Sequence, residues 1–339
     1  MLNLRNNLFF VLLLVLTPIL FFLDLVYGNV SIPFSEVLSA FKGESVSLSH
    51  QIILFESRLP KAITAVLCGA ALAVSGLLMQ TLFRNPLAGP YILGISSGAG
   101  LGVAILVMGA GIFGYSFIDG FSLSFAAFLG ATAVLFILFL VSNKVNDVMT
   151  LLILGVMIGA VATAIIGLIQ YFSSDYQLKS FLIWTLGSLS AISMSQISMV
   201  ALLLFIGIVV AFIFSKQLNA LLLGEEYATT IGVPIQFVRL IIILVSGWLA
   251  GIITAYCGPI GFIGIVVPHL ARLFFKTSNH YILIPSAVLI GANMLLISDL
   301  IANIFGSGIS LPINSITAIL GIPIVFWIIF SKRKIASGF

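Results

Sequence analysis

Cys257–Phe275, CGPIGFIGIVVPHLARLFF, is the stretch on which the topology turns. It is apolar, but Gly258, Gly261, Gly264, Pro259 and Pro268 interrupt it, and His269 and Arg272 stand near its end. Its uninterrupted part, Gly261–Phe275, is short for a membrane helix, which needs about 20 apolar residues. Segments broken by Pro and Gly tend to line cavities in membrane proteins, because their freed backbone groups need partners. Whether this segment crosses the bilayer fixes the sidedness of everything after it.

The rest of the chain names bilayer as the solvent. Of 339 residues, 61% are hydrophobic and 7% are charged, against about 25% charged in soluble domains. The other apolar runs are Leu8–Tyr27, Ala62–Leu82, Ile92–Ile112, Phe121–Ser142, Met149–Phe172, Ile197–Phe214, Phe237–Tyr256, Tyr281–Asn303 and Leu311–Phe330. With Gly261–Phe275 as the eighth, they predict an all-α integral membrane protein. About ten transmembrane helices form one bundle and a single domain over residues 1–339. Arg5 followed by Leu8–Leu23 is similar to a signal peptide, but an A-x-A-like cleavage site is missing and the run is long. It reads as an uncleaved first span.

Basic residues orient the bundle. A cytoplasmic N-terminus places Arg5, Arg84, Lys144, Lys216, Arg239, Arg272, Lys276, Lys332, Arg333 and Lys334 inside. Lys42, Arg58, Lys61 and Lys179 then lie outside, so both termini are expected in the cytoplasm. Dropping the eighth run would move Arg239 or the C-terminal cluster to the outer face. Glu36, Glu44, Glu56, Asp119 and Asp175 fall outside, and Asp299 reads as the one acid well within a run. An ion-coupled secondary transporter would carry several such charges, each costing about 2.5–3.5 kcal/mol near the bilayer centre. That reading is the alternative to the one reached below.

Several chemistries find no support. His50, His269 and His280 cluster with neither Cys nor acids, so no metal site is expected. Cys68 and Cys257 read as buried small hydrophobes. No G-x-x-x-x-G-K-[ST] phosphate loop is present. No nucleophile–base constellation suggests an enzyme. The net charge of +4 is spread between apolar runs and does not suggest nucleic-acid binding. Gly94–Gly98–Gly102, Gly155–Gly159 and Gly247–Gly251 carry the four-residue spacing of close helix packing.

Two further segments carry information. Gln80–Pro90, QTLFRNPLAGP, continues into YILGISSGAG. It reads as a tight interhelical turn with a close-packed helix start, or as a thin-walled stretch beside a translocation path. Ser215–Gln236, SKQLNALLLGEEYATTIGVPIQ, is the longest inner loop. Leu218, Leu221, Leu222 and Leu223 precede Gly224, and a second short helix from Glu225 to Ile231 is ended by Gly232 and Pro234. Glu225 and Glu226 suit that helix's N-terminus. The unit reads as an interfacial connector, or as a docking element for a cytoplasmic subunit. His269 reads as a structural hydrogen-bonding residue.

In this order, the segments resemble the FecCD family of type II ABC importer permeases. FRNPLAGPYILGISSGAG is similar to its RNPLA-type signature, and LGEEYATTIGVP resembles its coupling-helix segment. GPIGFIGIVVPHLAR is similar to its G-x-I-x-F-(V/I)-G-L-x-x-PH-x-x-R motif, and LPINSITAILGIPIVFWII resembles its closing run. The resemblance spans about Ile52 to Lys334. It implies a permease subunit for an iron–siderophore-type chelate, with haem or cobalamin as alternatives, in the bacterial cytoplasmic (inner) membrane. It implies a homodimer or a pair of related permeases, two cytoplasmic ABC ATPases that bind ATP and Mg in place of any cofactor here, and an extracytoplasmic binding protein.

The resemblance also assigns residues. The ATPases would dock on Leu218–Val233, through Leu218, Leu221, Leu222, Gly224, Glu225, Glu226, Ala228 and Gly232. Arg58 and Lys61, in SRLPK, would grip the binding protein. Asn146, Thr150, Gly155 and Gly159 would line the path or its inner gate. Arg84, Asn85, Pro86, Pro268, His269 and Arg272 would be structural members of the motifs. Two positions depart from the pattern: Asn303 stands where some relatives carry Arg, and Ser310 where an acid is common.

Overall fold

The computed structural model describes residues 4–28, 30–44, 46–109, 120–142, 144–145, 147–305 and 311–330. Asn146 and Ser310 lie outside them. Among the described residues the protein is all helix and loop, and every apolar run becomes a helix. Seven are long and apolar enough to cross a bilayer. They are α1 (Leu4–Val26), α4 (Leu59–Phe83), α6 (Gly120–Ser142), α7 (Val148–Tyr171), α9 (Met194–Ile213), α12 (Ile235–Cys257) and α14 (His280–Phe305). Three more apolar helices are α5 (Ile95–Gly109), α13 (Ile263–Phe275) and α15 (Ile313–Phe330). Short helices α2 (Phe34–Phe41) and α3 (Leu48–Ile52) precede α4, joined to it by a π-helical turn at Ile53–Arg58. Helix α8 (Asp175–Thr185) precedes α9, and α10 (Ser215–Leu222) and α11 (Glu225–Thr230) lie between α9 and α12.

Helix α4 is the axis of the molecule. In the helix through Leu48–Phe83, 83% of the most apolar stretch is buried, against 22% for α1 and 17% for α7. Small residues let its neighbours approach. A Cβ on Gly69 would collide with the Gly291 backbone of α14, and one on Gly76 with the Gly264 carbonyl of α13. Helices α4 and α12 are also tied by the hydroxyls of Ser75 and Ser246, 2.7 Å apart. The spaced glycines all sit at such contacts. Gly98 and Gly102 meet α6, Gly155 and Gly159 meet the start of α5, and Gly247 and Gly251 meet α6.

Helices α5 and α13 are short because the chain before each is not helical. After α12, Gly258 (φ 73°) and Phe262 (φ 67°) bracket an extended stretch. Its backbone groups are satisfied by the protein, as buried irregular chain requires. Gly258 N donates to Thr254 O (3.0 Å), and Ser188 N donates to Cys257 O (2.8 Å). Ile260 N donates to the Tyr91 hydroxyl (3.3 Å), and Gly261 N to Asn314 Oδ1 (3.0 Å). Between α4 and α5 the chain turns at Arg84 (φ 46°) and again at Gly94 (φ 77°). The two broken stretches pack on each other: a Cβ on Gly264 would lie 2.5 Å from Pro90 Cδ, and one on Gly89 3.0 Å from Ile265.

Contacts sort the helix ends into two sets. At one end, the rings of Phe9 and Phe10 of α1 pack at a tilt against Phe275 of α13. There Thr81 of α4 bonds His280 at the start of α14 (2.8 Å), whose Nδ1 bonds Asn219 of α10 (2.7 Å). At the other end, Arg58 meets the last turn of α1, and Lys61 meets Asp299 near the end of α14. Helix α13 therefore starts from the stretch held by Asn314 of α15 and finishes among the starts of α1 and α14.

Candidate functional site

The end carrying α10 and α11 has the one elaborate surface unit in the fold. Helix α10 continues almost directly from α9 and turns its apolar side inward. Leu218 and Leu221 are buried against the base of the bundle, not displayed. The bundle base thus covers these two leucines, while Leu223, 67% accessible, stands out. Asn219 fastens α10 by donating to Asn279 (2.9 Å) and accepting from His280 N (2.8 Å). Gly224 (φ 118°) breaks the chain where no side chain is tolerated well, and α11 begins. Ala228 is its buried contact, while Glu226, Tyr227 and Ile231 face outward. Gly232 (φ 83°) ends the unit, and Val233 N donates to Ala228 O (3.0 Å).

This unit is wired to the bundle. Arg84 Nη2 donates to Leu221 O (2.9 Å). Arg239, in the second turn of α12, donates to both carboxylate oxygens of Glu225 (3.1 and 3.2 Å). The other side of its guanidinium reaches Val145 O (3.5 Å), in the connection to α7. Asp147 caps α7 by accepting from Met149 N (3.2 Å), Thr150 N (2.8 Å) and Thr150 Oγ1 (2.7 Å). The Thr150 side-chain bond, then the backbone N–H groups, hold its carboxyl below the usual range, with Arg239 adding a little. A cleft of ≈ 560 Å³ lies between the unit and α7, lined by Arg84, Asp147, Met149, Glu225 and Glu226 among others.

The motif residues expected to be structural form one joint across the chain. His269 Nε2 bonds the Pro86 carbonyl (2.7 Å), and Asn85 Oδ1 accepts from Leu87 N (2.9 Å). Arg272 donates to Gln80 Oε1, and Gln80 Nε2 donates to Ile265 O (3.0 Å). Pro268 lies inside α13 and is buried. Tyr91, Asn314 and Gln80 were not singled out from the sequence, and nothing local distinguishes them. Their roles exist only because two distant segments meet.

The predicted path residues are split. Thr150 is exposed at the start of α7. Gly155 and Gly159 are buried and face Leu93, Gly94 and Ser97. The face of α7 that points away from the bundle is Met149, Ile153, Met157, Val161 and Leu168, all exposed.

At the opposite end, Arg58 and Lys61 are turned inward. Arg58 is buried, and its guanidinium donates to the carbonyls of Leu25 (2.7 Å), Val26 (2.8 Å) and Val30. Lys61 pairs with Asp299 at 2.8 Å, their side chains 13% and 3% accessible, and donates to Asn303 (2.9 Å). Asp24 of α1 completes the cluster, accepting from Asn303 Nδ2 (3.5 Å). Asp299 is thus not the one acid inside a run: Asp24 is a second, buried beside it. Its place within the run Leu8–Tyr27 was the available signal. The cluster brings two acids and two cations together at this end of the bundle, with Lys61–Asp299 as its ion pair. Among the described residues, no three His, Cys, Asp or Glu side chains gather to hold a metal.

Comparison with known proteins supplies the context. Residues 14–331 match the FecCD transport family. The vitamin B12 import system permease protein BtuC of Klebsiella pneumoniae is 37% identical over 86% of this chain and 86% of its own length. That of Citrobacter koseri is 34% identical over 86% and 87%. A solved structure, an inward-facing conformation of a metal-chelate type ABC transporter, superposes with a TM-score of 0.82 at 29% identity. It covers 94% of this chain and 97% of that one.

Proposed function

Because this chain belongs to the FecCD transport family, we propose that it forms half of the membrane path by which an ATP-driven importer takes up a bulky metal chelate. The chain is the permease subunit of a type II ABC importer, a multi-pass bacterial membrane protein that transports and does not catalyse. Such a permease works with an ATPase and a binding protein.

The observation that carries the finer reading is the α10–α11 unit. It is anchored by Leu218, Leu221 and Ala228, displays Leu223, Glu226, Tyr227 and Ile231, and is bonded to α12 and to the connection before α7. An element with a fixed root and an outward apolar tip suits a moving partner. Two ATPases would dock there, one on each of two permease copies. Both termini would lie in the cytoplasm, and α5, α13 and α15 would complete ten spans. The sorting of helix ends supports that count, since α13 joins the two sets. The exposed face of α7 would meet the path or the second copy on the two-fold axis. Thr150 and Asn146 would belong to the inner gate.

The ligand is a large organic chelate of a metal. An iron–siderophore-type chelate is the expectation from the family at large. The relatives named for vitamin B12 favour a cobalamin-type chelate as the second reading. Both can be tested in proteoliposomes holding the chain with its cognate ATPase and binding protein. Labelled cobalamin and a labelled ferric hydroxamate are offered in separate arms. ATP-dependent uptake of one is expected. Uptake of neither, with a binding protein that captures some other ligand class, would overturn the metal-chelate reading.

A further inference from the structure

Arg239 sits where three elements meet: its own helix α12, the outward helix α11 and the connection between α6 and α7. Its side chain is 4% accessible, whereas that of its partner Glu225 is 40% accessible. One amino group holds both oxygens of Glu225, in the first turn of α11. The other reaches Val145 O. Its charge also acts on Asp147, whose carboxylate caps α7 and holds Thr150. Val145 and Asp147 immediately precede α7, whose exposed face is proposed above to meet the path or the second copy. A planar guanidinium can serve two sides at fixed geometry, which a lysine cannot.

We infer that Arg239 is a transmission strut, a positioning residue that converts movement of α11 into movement of the α6–α7 connection and so of the inner gate. The inference rests on the reading of α10–α11 as the ATPase dock and of α7 as the path wall. The motor would press on the exposed side of α11 and displace Glu225. The ion pair would draw the guanidinium, and the bond to Val145 would pass the displacement to the residues that cap α7. Coupling of this kind needs an element with two arrangements that both sites bias. The start of α7, held by the Asp147 cap, is the element that would take up the displacement. Arg84, bonded to Leu221, steadies α10 so that α11 moves against a fixed root.

The test uses the whole transporter in proteoliposomes, with its ATPase, its binding protein and whichever of labelled cobalamin and labelled ferric hydroxamate the wild-type transporter imports. Three variants are compared: Glu225→Gln, Arg239→Gln and Arg239→Lys. Each is read for ATPase retained on purification, ATP hydrolysed, chelate imported and thermal midpoint. Glu225→Gln changes an accessible side chain and keeps the test open where a change at Arg239 prevents folding. Arg239→Lys keeps the charge and the ion pair but cannot also hold Val145. In Arg239→Gln and Arg239→Lys the motor stays bound and hydrolyses ATP, while import per ATP falls about tenfold; Glu225→Gln, which lies in the dock itself, is compared only as import per ATP hydrolysed by the ATPase it retains. Wild-type import per ATP in Arg239→Lys and Glu225→Gln would overturn the strut. So would import that falls only in proportion to lost ATPase. A wild-type chain that retains no ATPase would overturn the docking reading as well, and that outcome is visible before any variant is made.

Discussion

Lys61→Met destabilises the folded chain by about 3–5 kcal/mol, the cost of leaving a buried charge without its partner. Lys61 is the cation within bonding distance of Asp299, and Asp24 lies on the other side of Asn303. Arg58 is engaged with three carbonyls at the end of α1 and cannot replace it without giving those up. The double variant Lys61→Met, Asp299→Leu removes one charge of each sign and leaves Asp24 facing Arg58. It regains most of the loss. Thermal unfolding in detergent measures both. The experiment also decides between two roles for this pair. A docking residue would leave a stable permease that fails to bind its binding protein, whereas a brace leaves little folded permease to bind anything. A stable Lys61→Met chain with lost binding would restore the docking role.

Gly76→Leu yields no folded permease. The Gly76 Cα faces the Gly264 carbonyl of α13, and Gly264 faces the Leu72 carbonyl (2.9 Å from an added Cβ) and the ring of Pro90. Backbone lies on both sides of the contact, so nothing can swing aside. Overpacking a core costs about 1–3 kcal/mol where side chains yield. Here α13 would have to leave α4, and with it the bonds of Gln80, Arg272, Tyr91 and His269 that join the two broken stretches. Size-exclusion elution and yield report this directly. A monodisperse Gly76→Leu protein at wild-type yield would show that the joint is looser than its geometry. Gly43, which has open space around it and φ 76°, is a far milder site for alanine.

Hydropathy located the helices because it reports the one thing a membrane span must have. The run Gly261–Phe275 became α13 within two residues at its start, and Met149–Phe172 became α7 within one residue at each end. Hydropathy does not report which face of a span meets protein. Lipid and protein interior are both apolar, so a helix such as α7 carries no polar stripe to mark its outward side. The close approach of Gly155 and Gly159 to Leu93, Gly94 and Ser97 is accordingly not announced by any polar pattern along α7. The same blindness hid Leu218 and Leu221, which look exposed in a loop and are buried under it. Charges misled differently. A basic residue at a span end usually reaches for water or headgroups. Arg58 instead finds three carbonyls left free where α1 ends. Asp24, Lys61 and Asp299 lie on three helices, and no local pattern announces that they meet. The motif residues fared better because Pro, Gly, His and Arg mark broken backbone wherever it occurs. What they could not convey is that Gln80–Pro90 and Cys257–Arg272 are two halves of one joint.

On this reading the chain moves its ligand by responding to a motor outside itself. Import into proteoliposomes containing the permease, its ATPase and its binding protein, compared with and without ATP inside a sealed vesicle, reports that dependence. Import that requires ATP and the ATPase, and is absent from vesicles holding the permease alone under any ion gradient, is the predicted result. Chelate import by the permease alone, driven by a proton or sodium gradient, would contradict it.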